Sequence, residues 1–275
     1  MEDAGAAVRL DWSLPDVARI TLAKGDEFNT LTFEMIESLD AAIEHAAAKD
    51  ARVVIVTGSS KAFCTSAHIT YFTGPGAPLA NNPDAIRNDY VGRIIRTFRK
   101  LQDMPFASIA AINGYALGGG CELALSCDFR LMSTSARIGL TEVRLGAVAA
   151  GGGVQLLSKI VGRSRALEVA LLGDQWSAED AARIGLVHGV HAPEQAAMAL
   201  AIRLLLCTPV SVAQTKRALY RCETANADEA DEIALAALTV AASSKDWWEG
   251  MTAFTEKRRP GFANHGEGDA KAGIR

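Results

Sequence analysis

Three segments hold residues whose types and spacing suit oxyanion binding and proton transfer. The first is Gly114-Tyr115-Ala116-Leu117-Gly118-Gly119-Gly120-Cys121-Glu122, where three glycines lead into a helix-like run, Glu122–Ser126. Glycine lets the backbone approach a ligand closely, and free N–H groups at a helix start attract an oxygen bearing negative charge. Such a turn can hold an oxyanion, with Glu122 one turn into the helix beside it. It is not a dinucleotide fingerprint, because G-x-G-x-x-G is absent, nor a P-loop, because no Gly-Lys-Ser/Thr follows. The second segment, Lys61–Ile69, contains Thr65-Ser66-Ala67, small residues that again allow the backbone to face a ligand, and then His68. The third runs from Ile138 through Glu142, Arg144 and Gly146 to Gly151-Gly152-Gly153. Glu142 sits in a mostly apolar stretch, where partial desolvation raises a carboxyl pKa and equips it for proton transfer near neutral pH. Taken singly, the segments read better as a tight turn, an ordinary loop, and a surface glutamate paired with Arg144. Their joint occurrence in this order is what shifts the reading.

These segments need elements to position them. Val17–Leu22, Arg52–Thr57 and Ser108–Ile112 are β-branched or apolar runs that read as strands. Between the first two lies a helix, Phe33–Ala48, with Ile36, Leu39 and Ile43 on its buried face and Thr32 as its cap. A second helix is predicted from Pro83 to Leu101, capped by Asn82, with Ile86, Tyr90, Ile94 and Phe98 on one face. Thr73–Asn82, with Gly74, Pro75, Gly76 and Pro78, reads as a loop near a ligand entrance. Alternating strands and helices predict parallel crossovers. Ser177-Ala178-Glu179-Asp180 fits a capping box, and from Glu194 onward the pattern is helical. The expected organisation is an α/β core over 1–193 and a helical region over 194–275, whose polar tail Asn264–Arg275 reads as frayed.

Of the 275 residues, 49% are hydrophobic and 22% charged, which is enough apolar material for a sizeable core. The net charge of −4, with no dominant Lys or Arg cluster, argues against nucleic acid as a partner. The helix over 33–48 carries Glu34, Glu37, Asp40 and Glu44, an acidic face unsuited to phosphate. Five cysteines (64, 121, 127, 207 and 222) form no C-x-x-C and read as reduced thiols. Residues 1–11 do not resemble a secretory signal. The apolar stretch 196–210, broken by Arg203, is too short for a membrane span. A cytoplasmic location without membrane attachment is expected.

The three segments together resemble the crotonase (enoyl-CoA hydratase/isomerase) superfamily. Ala62-Phe63-Cys64-Thr65-Ser66-Ala67 is similar to its A-F-x-x-G-A-D motif. Asn113–Glu122 looks like its second oxyanion segment almost letter for letter. Ile138–Gly153 resembles its F-G-x-P-E…G…G-G stretch, and Phe254-Thr255-Glu256-Lys257-Arg258-Arg259-Pro260 its A-F-x-E-K-R signature. Gly185-Leu186-Val187 also fits, so the likeness spans Val8–Phe262. It implies an α/β, crotonase-like spiral of ββα units with a C-terminal helical trimerisation region, assembling as a homotrimer or a dimer of trimers. The ligand implied is an acyl-CoA thioester, with no metal and no cofactor beyond the coenzyme A of the substrate. By the same resemblance, the backbone N–H groups of Ala67 and Gly119 form the oxyanion hole. Glu122 activates a water, and Glu142 supplies a proton. Ser66, His68, Gly118, Phe254 and Lys257 fall at substrate- and CoA-binding positions, the last two toward a neighbouring subunit.

The activity implied is hydration of an enoyl-CoA in fatty-acid or related acyl-CoA degradation. Both glutamates of the family's hydratases are present, whereas many of its isomerases rely on one. The alternative is an enoyl-CoA isomerase, or a hydrolase or lyase of the same superfamily acting on a bulkier acyl-CoA. Ser66 in place of Gly, His68 in place of Asp, Thr141 in place of Pro, and Ala149-Ala150 in place of Pro-Gly all fall around the acyl pocket. Ser66 is expected to restrict the backbone beside Ala67, and His68 to serve as a structural hydrogen-bonding residue.

Overall fold

A computed structural model of the chain describes residues 6–262; the tail from Asn264 lies outside the described residues. The chain opens with an antiparallel pair, β1 (Val8–Leu14) and β2 (Val17–Leu22), followed by α1 (Phe33–Ala48). It then repeats one pattern three times. β3 (Val53–Gly58) and β4 (Ala62–Thr65) lead to α2 (Pro83–Ala85) and α3 (Gly92–Asp103). β5 (Ala107–Ile112) and β6 (Tyr115–Leu117) lead to α4 (Gly119–Ser126). β7 (Phe129–Met132) and β8 (Arg137–Gly139) lead to α5 (Gly153–Leu172), bent at Gly162. β9 (Trp176–Ser177), α6 (Ala178–Arg183) and β10 (Gly189–Val190) follow, then α7 (Pro193–Leu205), α8 (Pro209–Cys222), α9 (Ala227–Ala242) and α10 (Lys245–Thr255).

Each ββα turn places its first strand in one sheet and its second in another. The larger sheet has the order β1-β2-β3-β5-β7-β10 and the smaller β4-β6-β8-β9. The pairs β2–β3, β3–β5, β5–β7, β4–β6 and β6–β8 are all parallel, as the predicted crossovers require. β3 and β5 are buried along their whole length, which explains their unbroken apolar runs. Alternate side chains serve two cores. Val54, Val56, Ala110 and Ile112 face the main core beneath α1, α3 and α4. Val53, Ile55, Ile109 and Ala111 face a second core closed by Ala197 and Ala201 of α7.

The predicted elements have local causes. Thr32 caps α1 by accepting from Met35 N–H at 3.0 Å, a contact worth about 1 kcal/mol. Its acidic face is turned toward α3, where Glu37 pairs with Arg93, and Asp40 and Glu44 with Lys100. Asn82 caps the second predicted helix as expected. That helix is not a uniform α-helix to Leu101. It passes through a π-helical turn, Ile86–Val91, and runs on to Asp103. Ser177 caps α6 by accepting from Asp180 N–H at 3.1 Å, and its hydroxyl donates to the Asp180 carboxylate. All five cysteines are free, three of them buried. No strand follows Val190 among the described residues. No single helix among them is long and apolar enough to cross a membrane.

Candidate active site

Strands β4 and β6 run side by side, and the residues just beyond them meet. Gly118 turns the chain at φ +53°, and its N–H donates to Gly139 O at 2.9 Å, which ties the turn to the end of β8. A Cβ on Gly118 would stand 2.5 Å from Ser66 Oγ and 3.0 Å from Glu142 Oε1. Three segments far apart in sequence thus converge on one position with no room for a side chain. Gly119 is the first residue of α4, so its N–H has no acceptor inside the helix. A Cβ there would meet Leu31 Cδ1 at 2.6 Å. On the other side of Leu31, Ala67 pairs with it in a parallel bridge, and Leu31 N–H donates to Ser66 O at 3.0 Å. Ser66 has φ +73°, the left-handed region that glycine enters freely and a β-substituted residue does not. The expected restriction beside Ala67 is therefore present.

Glu122 lies on α4 and is only 5% exposed. Gly153 N–H donates to its Oε1 at 3.0 Å, and a Cβ on Gly151 would lie 2.6 Å from its Oε2. Burial is the largest influence on this carboxyl and pushes it up to about 7; the Gly153 N–H works against it, the Glu142 charge adds to it, and the Gly151 and Gly152 N–H groups oppose it. Glu142 opens a 3₁₀ turn, Glu142–Leu145, and is half-buried. Burial raises its pKa as well, against a hydrogen bond from its own backbone. Its Oε2 is buried without a hydrogen-bond partner among the described residues. Arg144 is engaged elsewhere, with the Asp174 carboxylate and with Leu172 O at 3.0 Å. The reading of Glu142 as an Arg144-paired surface residue therefore falls away.

Two carboxyls that resist ionisation thus interact with each other, Glu142 at the Gly118 turn and Glu122 at the Gly151–Gly153 turn, beside two backbone segments able to donate. Such a constellation can take a proton at one carboxyl, return one at the other, and stabilise an oxyanion between them. His68 sits at its edge. Its Nδ1 is hydrogen-bonded to Thr30 Oγ1 at 3.0 Å, and its ring meets Tyr71 edge-on at 4.8 Å. That is the structural role expected of it.

The profile of the enoyl-CoA hydratase/isomerase family matches residues 15–265. The chain belongs to this family. Among relatives of this crotonase, a short-chain-enoyl-CoA hydratase from Clostridium acetobutylicum is 34% identical over 254 residues, 90% of this chain and 95% of the relative. A probable mitochondrial enoyl-CoA hydratase from Dictyostelium discoideum is 32% identical over 90% of this chain and 88% of its own. The crystal structure of an enoyl-CoA hydratase from Bacillus anthracis superposes with a TM-score of 0.85 at 32% identity, covering 93% of this chain and 98% of that one. The ββα spiral is the crotonase fold these structures share.

Not every residue singled out from the sequence reaches the site. Ser66, Ala67, His68, Gly118, Gly119, Glu122 and Glu142 are gathered there. Phe254 and Lys257 are not. Phe254 is 84% exposed at the end of α10, a helix packed chiefly on α9, and Lys257 follows at φ +54°. Other contributors carried no sequence signal of a site. Asn29, fully buried at φ +53°, donates to Ala62 O at 2.9 Å and Phe63 O at 3.2 Å, holding the chain before Leu31 against β4. Thr30 orients His68. Tyr90, read as one member of an apolar helix face, carries a hydroxyl that reaches the Ala67 segment. Its one visible clue was a phenol among aliphatic and phenyl neighbours.

Proposed function

We propose that this crotonase is an enoyl-CoA hydratase, adding water across the 2,3-double bond of an enoyl-CoA thioester. The observation that carries the reading is the pairing of two carboxyls desolvated by burial: Glu142 reaches Gly118, and Glu122, held by the Gly151–Gly153 turn, lies close enough to feel the Glu142 charge. In this reading the thioester oxygen accepts from the N–H groups of Ala67 and Gly119. Glu122, made more basic than an ordinary carboxylate by burial, holds the water and takes its proton as the oxygen attacks Cβ. The electrons of the double bond move to the thioester oxygen as an enolate, which the two N–H groups stabilise, each worth about 3 kcal/mol. Glu142 then delivers a proton to Cα. The water's hydroxyl ends on Cβ and the Glu142 proton on Cα, which leaves Glu122 protonated and Glu142 ionised. Passage of a proton from Glu122 to Glu142, directly or through solvent, restores the pair, whose titration is shared. The unpartnered Glu142 Oε2 suits a group whose hydrogen-bond partner arrives with the substrate.

Ser66, His68 and Gly118 would line the thioester. Phe254 and Lys257 would serve the CoA of a neighbouring subunit, since within one chain they lie apart from the glutamates. Assembly into a trimer, or a dimer of trimers, is supported by the exposed Leu219, Leu235, Leu238, Trp248, Met251 and Phe254 on α8–α10, an apolar surface suited to burial between copies. No cofactor enters the scheme beyond the coenzyme A of the substrate.

Hydration of crotonyl-CoA, followed as loss of enoyl-thioester absorbance, tests the proposal beside Glu122→Ala and Glu142→Ala. Rapid loss, reduced by about 10²–10⁴-fold in either variant, is expected for a working acid–base pair. No turnover with acyl-CoA binding intact would overturn the short-chain hydratase reading.

A further inference from the structure

We infer that Tyr90 is a positioning residue for the oxyanion donors: its hydroxyl closes the seam between Leu31 and Ala67–His68, and through Leu31 sets how the N–H groups of Ala67 and Gly119 face each other. The inference rests on the oxyanion-hole reading proposed above.

In a parallel bridge centred on Ala67, the residues on either side of it bond to the partner strand, and Ala67 directs its own N–H away from the seam. The first of these bonds is direct, from Leu31 N–H to Ser66 O at 3.0 Å. The second runs through Tyr90. Its hydroxyl accepts from His68 N–H at 3.1 Å and donates to Leu31 O at 2.5 Å. The orientation of the Ala67 N–H is therefore held on one side by a backbone bond and on the other by a phenol. Leu31 also meets the second donor, because its Cδ1 lies 2.6 Å from where a Cβ of Gly119 would stand. One residue thus touches both halves of the proposed hole, and its carbonyl is held by Tyr90.

The helix is built to deliver this hydroxyl. At 3.6 residues per turn, each step of four overshoots a full turn by about 40°, so Ile86, Tyr90, Ile94 and Phe98 would spread over about 120° in an unbroken α-helix. The π-helical turn Ile86–Val91 is wider and takes up that overshoot, which keeps Tyr90 on the face buried with Ile94 and Phe98. The ring is 1% exposed and is met edge-on by Phe33 at 5.5 Å, Phe72 at 5.5 Å and Tyr71 at 6.0 Å. Burial raises the phenol pKa, so the group stays neutral and can accept and donate at once.

Tyr90→Phe keeps the packed ring and removes only the hydroxyl. With crotonyl-CoA the expected result is a fall in kcat of about tenfold with KM within about twofold, since a small displacement of a positioned group lowers the chemical step more than binding. The second readout is the spectrum of a bound arylacryloyl-CoA thioester, whose absorbance moves to the red as its carbonyl is polarised. That shift should shrink in the variant. Wild-type kcat and a wild-type red shift in Tyr90→Phe, even with a lowered melting temperature, would overturn the inference and leave the oxyanion reading standing. No red shift in the wild-type protein would sink the oxyanion reading itself, and this inference with it. Leu31→Val gives a second arm, because it thins the contact with Gly119 while leaving the hydroxyl. It should lower kcat and the red shift together, and no change in either would overturn the inference even if Tyr90→Phe does not fold.

Discussion

Replacing Glu122 by Gln should inactivate the protein and stabilise it, and the stabilisation should depend on pH. Burial chiefly moves this carboxyl from an ordinary 4.5 to about 7 in the folded chain. Below about pH 4.5 the group is protonated in both folded and unfolded chains and makes no difference between them. As pH rises toward 7, the unfolded chain releases the proton while the folded chain retains it, so stability falls. Above about 7 the full cost is present and no longer grows. A separation of roughly 2.5 units corresponds to about 3 kcal/mol at most. Gln removes the titration while still offering an acceptor to Gly153 N–H. Urea denaturation at a fixed protein concentration, followed by circular dichroism, measures the effect. The gain should be close to zero near pH 4.5 and about 3 kcal/mol near pH 8. An equal gain at both pH values, or none at pH 8, would refute the claim that desolvation of an ionised Glu122 is what the fold carries here. The result bears on function because a site residue that costs stability is retained for its chemistry.

Two further substitutions probe the scaffold by denaturation. Ser66→Gly relieves a left-handed conformation that costs a β-substituted residue about 1–2 kcal/mol, and it adds unfolded-state freedom worth about 0.4–1 kcal/mol. The expected outcome is a net gain of up to about 1.5 kcal/mol, and a loss of stability would contradict this account of Ser66. Lys216→Met removes a buried ammonium that donates to Leu101 O at 2.6 Å and Phe106 O at 2.8 Å and pairs with Asp128 at 2.9 Å. Asp128 keeps Ser108 and Tyr220 as donors but loses its counter-charge. A loss of about 3–5 kcal/mol is expected, as for a broken buried pair, and a loss under 1 kcal/mol would show that the cluster does not anchor α8.

Local patterns reported much of the local structure, though not the seven-residue β1 or the π-helical turn Ile86–Val91. Thr32 and Asn82 announced the helices they cap, and β2 was read at its observed limits because its branched residues pack on a pleated face. Short strands escaped notice: β6 and β8 have three residues each, too few to display alternation. The order of the three glycine- and glutamate-bearing segments was also legible, and it pointed to the family that the whole-chain comparisons establish. What the sequence could not contain was distance. That Ser66, Gly118 and Glu142 meet depends on the parallel register of β4, β6 and β8, in which each strand end is set beside the next. The shift of Glu122 to about 7 depends on the Gly151–Gly153 turn folding back over α4 and excluding water. The place of Tyr90 depends on one π-helical turn and on a strand edge 22 residues earlier in the chain. The sequence by itself determined which residue types were available and in what order. The tertiary structure alone decided which of them face one another and how dry their surroundings are, because burial and register are set by contacts between segments that no local spacing records.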